Sequence, residues 1–205
     1  MGMTIDQWKE QLVRRRALLI APFAFAGLVA VSSRGREDRP GDPNEEVTIV
    51  EFDPQGRRIG PRRVKKVVKP DAEWKRLLSS EQYYVTRHAG TDTPYTGTYY
   101  ELHEAGLFRC VCCDTALFSS EAKFDSGTGW PSFWAPVAEE NIRAVKDVSL
   151  LLERVEVRCK RCEAHQGHVF TDGPEPTGLR YCINEAALRF VPGLPGATGH
   201  DIVGK

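Results

Sequence analysis

The sequence predicts a mainly β fold, and two observations support this prediction. The chain contains 18 Gly and 13 Pro, and 41% of its residues are hydrophobic, which suits a turn-rich chain of short strands better than one of long helices. From Tyr83 onward the apolar segments are short, contain aromatic residues and are bounded by turn-forming residues. Two Cys-x-x-Cys pairs add a predicted metal site to this fold.

The size and charge of the chain limit the number of its domains and the kinds of partner it can attract. Its 205 residues accommodate one domain of ordinary size with flanking segments. Lys and Arg together number 28, as do Asp and Glu, so the formal net charge is zero. No global charge therefore attracts the protein to nucleic acid or to an acidic membrane surface, and we expect no nucleic-acid partner.

Residues 1–33 have the pattern of an export signal. Three consecutive arginines at 14–16 precede an apolar stretch over 17–31, after which small residues follow. The arginines resemble those of a bacterial twin-arginine signal, so we expect export to the periplasm. An uncleaved anchor in the membrane and a cytoplasmic amphipathic extension are the alternatives. The anchor is less favoured, because the apolar stretch over 17–31 is shorter than the roughly 20 residues that a spanning helix needs.

The next two segments lead into the main domain. Residues 34–46 are charged and rich in Pro and Gly, which is the composition of a linker. Residues 47–70 form a predicted N-terminal strand extension, with strands over 47–52 and 57–68 around a Pro-Gln-Gly turn. We interpret the basic residues of the second strand as a solvent-exposed face, with a binding patch as the less favoured alternative.

The main domain is predicted over residues 71–192, and residues 193–205 form a loose C-terminal tail. A short helix is expected over 71–78, with Asp71 as its N-cap and apolar residues, including Trp74, at helical spacing. The run over 148–157 predicts one long, largely buried strand that leads directly into Cys159. Strands are predicted at 107–109, 116–118, 148–157, 168–170, 179–183 and 187–191.

Four of the six cysteines suit a single tetrahedral zinc ion. Each Cys-x-x-Cys turn, called a knuckle here, directs two sulfurs to one point, and two knuckles complete the coordination. A zinc held by four thiolates has no open position, so it stabilises the fold and performs no chemistry. The first knuckle is Cys110 to Cys113 and the second is Cys159 to Cys162.

The two remaining cysteines are Cys112, inside the first knuckle, and Cys182. Two histidines, His165 and His168, precede Cys182, and Asn184 follows it, a set of residues typical of an activated thiolate. Each histidine alone is more readily explained by a structural role. The aromatic, glycine-containing loop over 125–134 is likewise explained by packing when it is considered by itself.

Together these motifs resemble the methionine-R-sulfoxide reductases (MsrB), over about residues 71–192. The resemblance implies a compact fold of curled antiparallel sheets with peripheral short helices. It also implies a peptide-methionine (R)-S-oxide reductase that repairs oxidative damage, acting on methionine sulfoxide free or in proteins. The matching motifs are Cys110-x-x-Cys113, Phe124-Asp-Ser-Gly-x-Gly-Trp130-Pro-Ser-Phe133, Cys159-x-x-Cys162, His165-x-Gly-His168-Val-Phe, Asp172-Gly-Pro and Gly178-Leu-Arg180-Tyr-Cys182-Ile-Asn184.

The resemblance also implies individual roles. Cys182 is the nucleophile, His168 is the acid, and Trp130 forms a wall for the methyl group of the substrate. Attack on the sulfoxide leaves Cys182 as a sulfenic acid, which a second thiol must reduce. The implied catalytic residues are Cys182, His168, His165 and Asn184, and the implied substrate-binding residues are Trp130, Phe133, Asp172 and Arg180.

The chain departs from many relatives at the second thiol. Their resolving cysteine stands in the Gly-x-Gly-Trp loop, where this chain has Thr128. We therefore expect direct reduction of Cys182 by an external, thioredoxin-like thiol in a monomeric enzyme, with Cys112 as the alternative resolving thiol. A zinc-ribbon binding module without catalysis is the alternative function. Its weakness is that such a module does not need Cys182.

Overall fold

The computed structural model describes residues 42–147 and 154–193. Three sequence predictions therefore lie outside the described residues, wholly or in large part. They are the export signal or anchor over 1–33, most of the linker over 34–46, and all but the first residue of the tail over 193–205. Of the helices in the described ranges, none has the length and apolar composition that crossing a lipid bilayer requires.

The described part of the chain is mainly β, as predicted, and is built of antiparallel sheets. An N-terminal hairpin pairs β1 with β2, a three-stranded sheet has the order β11-β3-β4, and a six-stranded sheet has the order β5-β6-β10-β9-β8-β7. The strands are β1 (Glu46–Phe52), β2 (Arg58–Lys65), β3 (Gly106–Cys110), β4 (Ala116–Ser119), β5 (Lys123–Phe124), β6 (Ser132–Phe133), β7 (Ile142–Asp147), β8 (Arg154–Cys159), β9 (His165–Phe170), β10 (Arg180–Ile183) and β11 (Leu188–Pro192).

Most of the predicted strands agree with observed ones. The prediction over 148–157 agrees with β8 only from Arg154, because residues 148–153 lie outside the described residues. β7 was not predicted from the sequence, although its buried residues Ile142 and Ala144 alternate with more exposed ones. The two-residue strands β5 and β6 were not predicted either, because they are too short to produce a detectable alternation.

The six-stranded sheet buries one face and leaves the other polar. Side chains alternate between the faces of a strand, and the apolar set of β8 to β10, including Val157, Tyr181 and Ile183, points into the core. Phe118 of the three-stranded sheet stacks on Phe133 of the six-stranded sheet, with ring centroids 4.5 Å apart. The main core therefore lies between the two sheets, and the polar face of the larger sheet is available for a site.

Two short helices flank the sheets, α1 (Asp71–Leu77) and α2 (Ser80–His88). The prediction that Asp71 caps α1 is wrong. Pro70 occupies the N-cap position, and the Asp71 carboxylate instead binds Lys75 and the Tyr83 hydroxyl. α2 was not predicted from the sequence, although the sequence contains its capping box, Ser79 followed three residues later by Gln82.

A buried asparagine helps to attach the N-terminal hairpin to the main domain. The Asn141 side chain accepts a hydrogen bond from the Val50 N–H (2.6 Å) and donates to the carbonyl oxygens of Val50 (2.8 Å) and Ala116 (2.8 Å). Around it, Val50 and Phe52 pack with Leu107 in a second apolar cluster. The Asn141 side chain therefore links the backbone of β1 to that of β4, two strands that do not pair with each other.

Replacing Asn141 should destabilise the fold more than replacing a surface asparagine. Asn141→Ala leaves three buried backbone groups without partners, and each costs about 1 to 3 kcal/mol. Because the hairpin can relax, we expect the free energy of unfolding to fall by about 2 to 4 kcal/mol in chemical denaturation. Asn44→Ala, at an exposed position before β1, is the control and should change it by less than about 0.5 kcal/mol. Equal losses in both variants would contradict this account.

Candidate active site and metal centre

The two knuckles form the turns of two β-hairpins. The first joins β3 to β4, and the second joins β8 to β9. They have the same backbone geometry, because Asp114 and Glu163, the residues after each pair, have φ of 62° and 57°. In each turn the N–H of that residue donates to the carbonyl of the first cysteine, at 2.9 and 3.0 Å. Each turn therefore directs its two sulfurs to one side.

The four knuckle sulfurs meet at one point between the two sheets. The Sγ atoms of Cys110, Cys113, Cys159 and Cys162 all lie within 4.8 Å of one another. Between the knuckles, Cys110 Sγ lies 3.6 Å from Cys162 Sγ and Cys113 Sγ lies 3.5 Å from Cys159 Sγ, far longer than the roughly 2.05 Å of a disulfide bond. Zinc–sulfur bonds of about 2.3 Å in a tetrahedron place sulfurs about 3.8 Å apart. The cluster can therefore hold a metal ion of that kind, and Cys112 is not part of it.

The predicted nucleophile and acid face each other across two strands. In the register of the large sheet, Cys182 of β10 lies opposite His168 of β9 on one side and opposite Ser132 of β6 on the other. Directly opposed residues of antiparallel strands point to the same face. On β8, Glu156 lies opposite His168 and extends the row. We call Ser132, Cys182, His168 and Glu156 the polar row.

A bulge brings His165 to the same face as His168. Three residues along a regular strand would place the two rings on opposite faces. Here Val157 pairs with Gly167 and Arg158 pairs with His165, so Gln166 is an extra residue on β9. The two imidazole centroids are consequently 5.4 Å apart.

The buried carboxylate of Glu156 holds His165 in place. Its Oε1 lies 2.7 Å from His165 Nδ1, and its Oε2 accepts from Arg158. Burial alone would raise the pKa of Glu156, but the hydrogen bonds from His165 and Arg158 outweigh it and lower the pKa to about 2. Because a carboxylate only accepts, His165 Nδ1 carries the proton in this pair. Glu156 was not predicted from the sequence, because it alternates with the apolar residues of β8 and belongs to none of the motifs.

Only glycine fits between the two central strands. Gly167 has φ of +154°, and a Cβ there would lie 2.1 Å from the Cys182 carbonyl oxygen. The close approach of β9 to the backbone of Cys182 therefore depends on the glycine of the His-x-Gly-His motif.

The Cys182 thiol is half-buried beside hydroxyl groups. Its Sγ lies 3.9 Å from Thr128 Oγ1, which is 2.8 Å from Ser126 Oγ. Burial raises the pKa of the Cys182 thiol, while Thr128 and the positive charge of Arg180 act in the opposite direction. At neutral pH the thiol therefore rests largely protonated.

His168 has an acidic partner at the end of β7. Its Nε2 lies 2.9 Å from Asp147 Oδ2. Burial lowers the pKa of His168, and the hydrogen bond to Asp147 opposes this change. Since the carboxylate only accepts, Nε2 carries the proton and Nδ1 remains able to accept one. Asp147 has no motif in the sequence and was missed.

Trp130 and Asn184 meet through a buried carboxylate that sequence reasoning also missed. Trp130 Nε1 donates to Asp92 Oδ1 at 2.8 Å, and the Asp92 N–H donates to Asn184 Oδ1 at 3.2 Å. Asn184 Nδ2 donates to the carbonyl of Gln166 in the bulge. Burial raises the pKa of Asp92, against hydrogen bonds from Ala186 and Trp130. Asn184 thus connects the loop that holds Trp130 to the bulge of β9.

Asp172 and Arg180 form a bidentate ion pair at the other end of the site. Arg180 Nε and Nη2 each donate to the carboxylate at 2.9 Å, and the guanidinium lies over the ring of Phe170, 4.5 Å from its centroid. Arg180 precedes Cys182 by two residues on β10, so both side chains share one face. The carboxylate and the ring thereby hold a positive charge on the thiol's side of the sheet.

Phe133 does not lie where the resemblance suggests. A substrate-binding role requires an exposed ring, but Phe133 is fully buried between Phe108 and Phe118. Its neighbour Ser132 is the residue that faces Cys182. Alternation along β6 explains the difference, since consecutive residues point to opposite faces. Phe133 therefore packs the core beneath the polar row.

Comparison with known proteins identifies a single family. The SelR domain family model matches residues 78–192. A peptide methionine sulfoxide reductase MsrB from Hahella chejuensis is 57% identical over 125 residues, which cover 61% of this chain and 90% of the relative. The protein of the same name from Thioalkalivibrio sulfidiphilus is 58% identical over 120 residues (58% and 88% of the two chains). The one from Pseudomonas aeruginosa is 51% identical over 127 residues (62% and 96%).

Removing one sulfur of the cluster should release the metal, whereas removing the neighbouring sulfur should not. In Cys113→Ser one of four ligands is lost, so we expect well under one metal ion per chain and a lower melting temperature. Cys112→Ser is a matched control from the same turn and should retain one ion per chain. Elemental analysis of the purified proteins measures this. Equal metal loss in both variants would contradict the assignment of the four ligands.

The charge of Arg180 should make the Cys182 thiol easier to deprotonate. Arg180→Gln removes that charge, so the thiol pKa should rise further above its usual value, about 8.5. Near pH 8 the thiolate fraction falls, and alkylation of Cys182 by iodoacetamide, followed by mass spectrometry, should slow about two- to fivefold. Arg62→Gln, on the exposed β1–β2 hairpin, should leave the rate unchanged. A faster reaction in Arg180→Gln would contradict the expected direction of the change in the Cys182 pKa.

Proposed function

The chain belongs to the SelR domain family, the MsrB peptide methionine sulfoxide reductases, and from this membership we propose that Cys182 reduces methionine-R-sulfoxide, free or in proteins. The observation that carries this assignment of residues is the polar row, which brings Cys182 and His168 together on one face. The alternative of a binding module has no comparable support, since the knuckles also occur in this enzyme family's pattern.

The first half of the reaction needs a sulfur nucleophile and a proton for the oxygen. Cys182 sulfur attacks the sulfoxide sulfur, the S–O bond breaks, and the oxygen leaves with Cys182 as a sulfenic acid. Methionine is reduced by two electrons and Cys182 is oxidised by two. The thiol proton ends on the transferred oxygen, so atoms and charge balance without an external acid.

His168 is suited to move that proton. Both groups rest neutral at neutral pH, because burial raises the thiol pKa and lowers the imidazole pKa. Asp147 binds Nε2, which leaves Nδ1 to accept the thiol proton and return it to the sulfoxide oxygen. His165 and Asn184 act as positioning groups, through Glu156 and through Asp92.

The selection of one epimer depends on an apolar and a polar side of the site. Trp130 presents an apolar surface for the methyl group, and Asp92 holds the indole through its N–H. The polar row receives the oxygen on the other side. Exchange of methyl and oxygen would place the oxygen on the indole, which disfavours the S epimer.

Zinc is the ion we assign to the cluster. Four thiolates in a closed tetrahedral set are typical of structural zinc, which would stabilise the two hairpin turns and supply no reactive position. The reacting sulfur is therefore separate from the metal-binding sulfurs.

We expect the second half of the reaction to use an external thiol. In many relatives a cysteine stands at the place of Thr128, whose hydroxyl lies 3.9 Å from Cys182 Sγ. Without it, a thioredoxin-like thiol condenses with the sulfenic acid and releases water, and a second thiol then reduces the mixed disulfide. Cys112 is the alternative, but it lies inside the first knuckle.

The central test is the reduction of purified methionine sulfoxide epimers with dithiothreitol. The wild-type protein should reduce the R epimer and leave the S epimer unchanged, and Cys182→Ser should lose at least about 10³-fold in rate because the nucleophile is gone. Cys112→Ser should match wild type in this assay. Full activity of Cys182→Ser would refute the assignment.

A second measurement distinguishes the two routes of regeneration. With thioredoxin and its reductase as electron source, Cys112→Ser should turn over at the wild-type rate, because the external thiol attacks Cys182 directly. If this variant keeps its zinc and its first turnover but stops there, Cys112 is the resolving thiol and direct reduction is wrong.

A further inference from the structure

A large cavity adjoins the polar row on the same side of the six-stranded sheet. It has a volume of about 810 Å³, within the range of about 300 to 1,000 Å³ that is typical of ligand-binding clefts. Its floor is formed by residues of β7, β8 and the second knuckle, and its walls by α1, α2 and the chain that leaves β2. Glu156, the last member of the polar row, and His165 both line it.

The cavity is close enough to Cys182 for one polypeptide to occupy both places. Glu156 lies two strands from Cys182, and neighbouring strands are about 4.8 Å apart, so their backbones are separated by about 10 Å. An extended peptide covers that distance in about three residues. A chain whose oxidised methionine lies at Cys182 can therefore place residues two to four positions away in the cavity.

Cationic side chains outnumber carboxylates in the lining, although the whole chain has no net charge and both lining lysines are paired with glutamates. Six cationic and three carboxylate side chains line the cavity. Two carboxylates, Glu156 and Glu163, are already paired with Arg158 and Arg143. The six cationic residues are Lys66, Lys69, Arg87, Arg143, Arg158 and Arg161, and the three carboxylate residues are Asp71, Glu156 and Glu163.

Two of the arginines retain binding capacity. Within the described residues, neither Arg87 nor Arg161 has a carboxylate partner; each donates to a backbone carbonyl, of Cys162 and of Lys65 respectively. Arg87 also lies over the Trp74 ring, 4.9 Å from its centroid, which holds the guanidinium in place. Guanidinium groups bind carboxylates in bidentate geometry. The pair therefore favours an acidic ligand.

A buried histidine favours a peptide over a small anion. His165 is 3% exposed, and its Nε2 has no hydrogen-bond partner among the described residues. Because Nδ1 donates to Glu156, Nε2 acts as an acceptor whenever the ring carries a single proton. A backbone N–H satisfies such an acceptor, whereas a small anion does not.

We propose that this cavity binds acidic residues located two to four positions from the methionine sulfoxide in a polypeptide substrate. The proposal rests on the proposed function and adds a substrate preference to it. Part of the cavity wall, Lys66 to Pro70, precedes the matched SelR domain, so the preference belongs partly to the N-terminal extension of this chain.

Kinetics with matched peptides test the preference. Three peptides carry one methionine-R-sulfoxide and differ only in having glutamates, serines or lysines at positions two to four on both sides. With the zinc-loaded full chain and dithiothreitol, kcat/KM for the acidic peptide should exceed that for the neutral one by about three- to tenfold, and the basic peptide should be the poorest. High salt should reduce the differences. Equal values for acidic and neutral peptides would overturn the proposal.

A double variant connects the preference to the cavity. Arg87→Gln/Arg161→Gln should reduce kcat/KM for the acidic peptide about three- to tenfold and leave the neutral peptide unchanged. The control Arg62→Gln/Arg63→Gln removes two charges from exposed positions of β2 outside the cavity and should change neither. Zinc content and melting temperature establish that the variants are folded. If both double variants lose the preference equally, its origin is not the cavity.

A binding measurement distinguishes whether this proposal or the proposed function is wrong. If no substrate is reduced, including free methionine-R-sulfoxide, the proposed function is wrong. Calorimetry of the oxidised peptides with Cys182→Ser protein still tests the cavity, because it needs no catalysis. Tighter binding of the acidic peptide, lost in the Arg87 and Arg161 double variant, supports the proposal, and equal binding of acidic and neutral peptides refutes it.

Discussion

The meeting of two hairpin turns at four sulfurs is the constraint on which the rest of the structure depends. The first knuckle belongs to the three-stranded sheet and the second to the six-stranded sheet, so a metal ion bound there joins the two layers that enclose the core. β9 begins three residues after Cys162. The position of the knuckle therefore fixes where the imidazoles of His165 and His168 enter the sheet, and a shift of the turn would move both.

An irregularity in β9 then brings the residues of the candidate site together. A bulge at Gln166 places two histidines on one face, and Gly167 lets the backbone of Cys182 approach. Carboxylates orient the ring or indole nitrogens: the buried Glu156 on His165, the partly buried Asp147 on His168 and the buried Asp92 on Trp130. Each costs desolvation, which hydrogen bonds offset. The site is thus rigid on its polar side while the thiol stays half-exposed to solvent.

Most strands and the four cysteines that cluster were predicted from the sequence, because these signals are local. Strands at β3, β4, β9, β10 and β11 follow from short apolar runs between turns, and the knuckles follow from spacing alone. Prediction failed where the signal was weak or absent. The strand β7 was missed, α2 was overlooked despite its capping box, and the role of Asp71 was wrong because proline took the cap position.

By itself, then, the sequence determined which atoms can react and which can bind a metal, since cysteine, histidine and tryptophan in a specific order define a chemistry before they are folded. Only the tertiary structure decided which residues support them. Glu156, Asp147 and Asp92 lie 9 to 38 residues from their partners and are brought there by strand register and long-range packing. The burial of Phe133 beneath Ser132 was decided in the same way, because the face that a residue occupies depends on how its strand pairs.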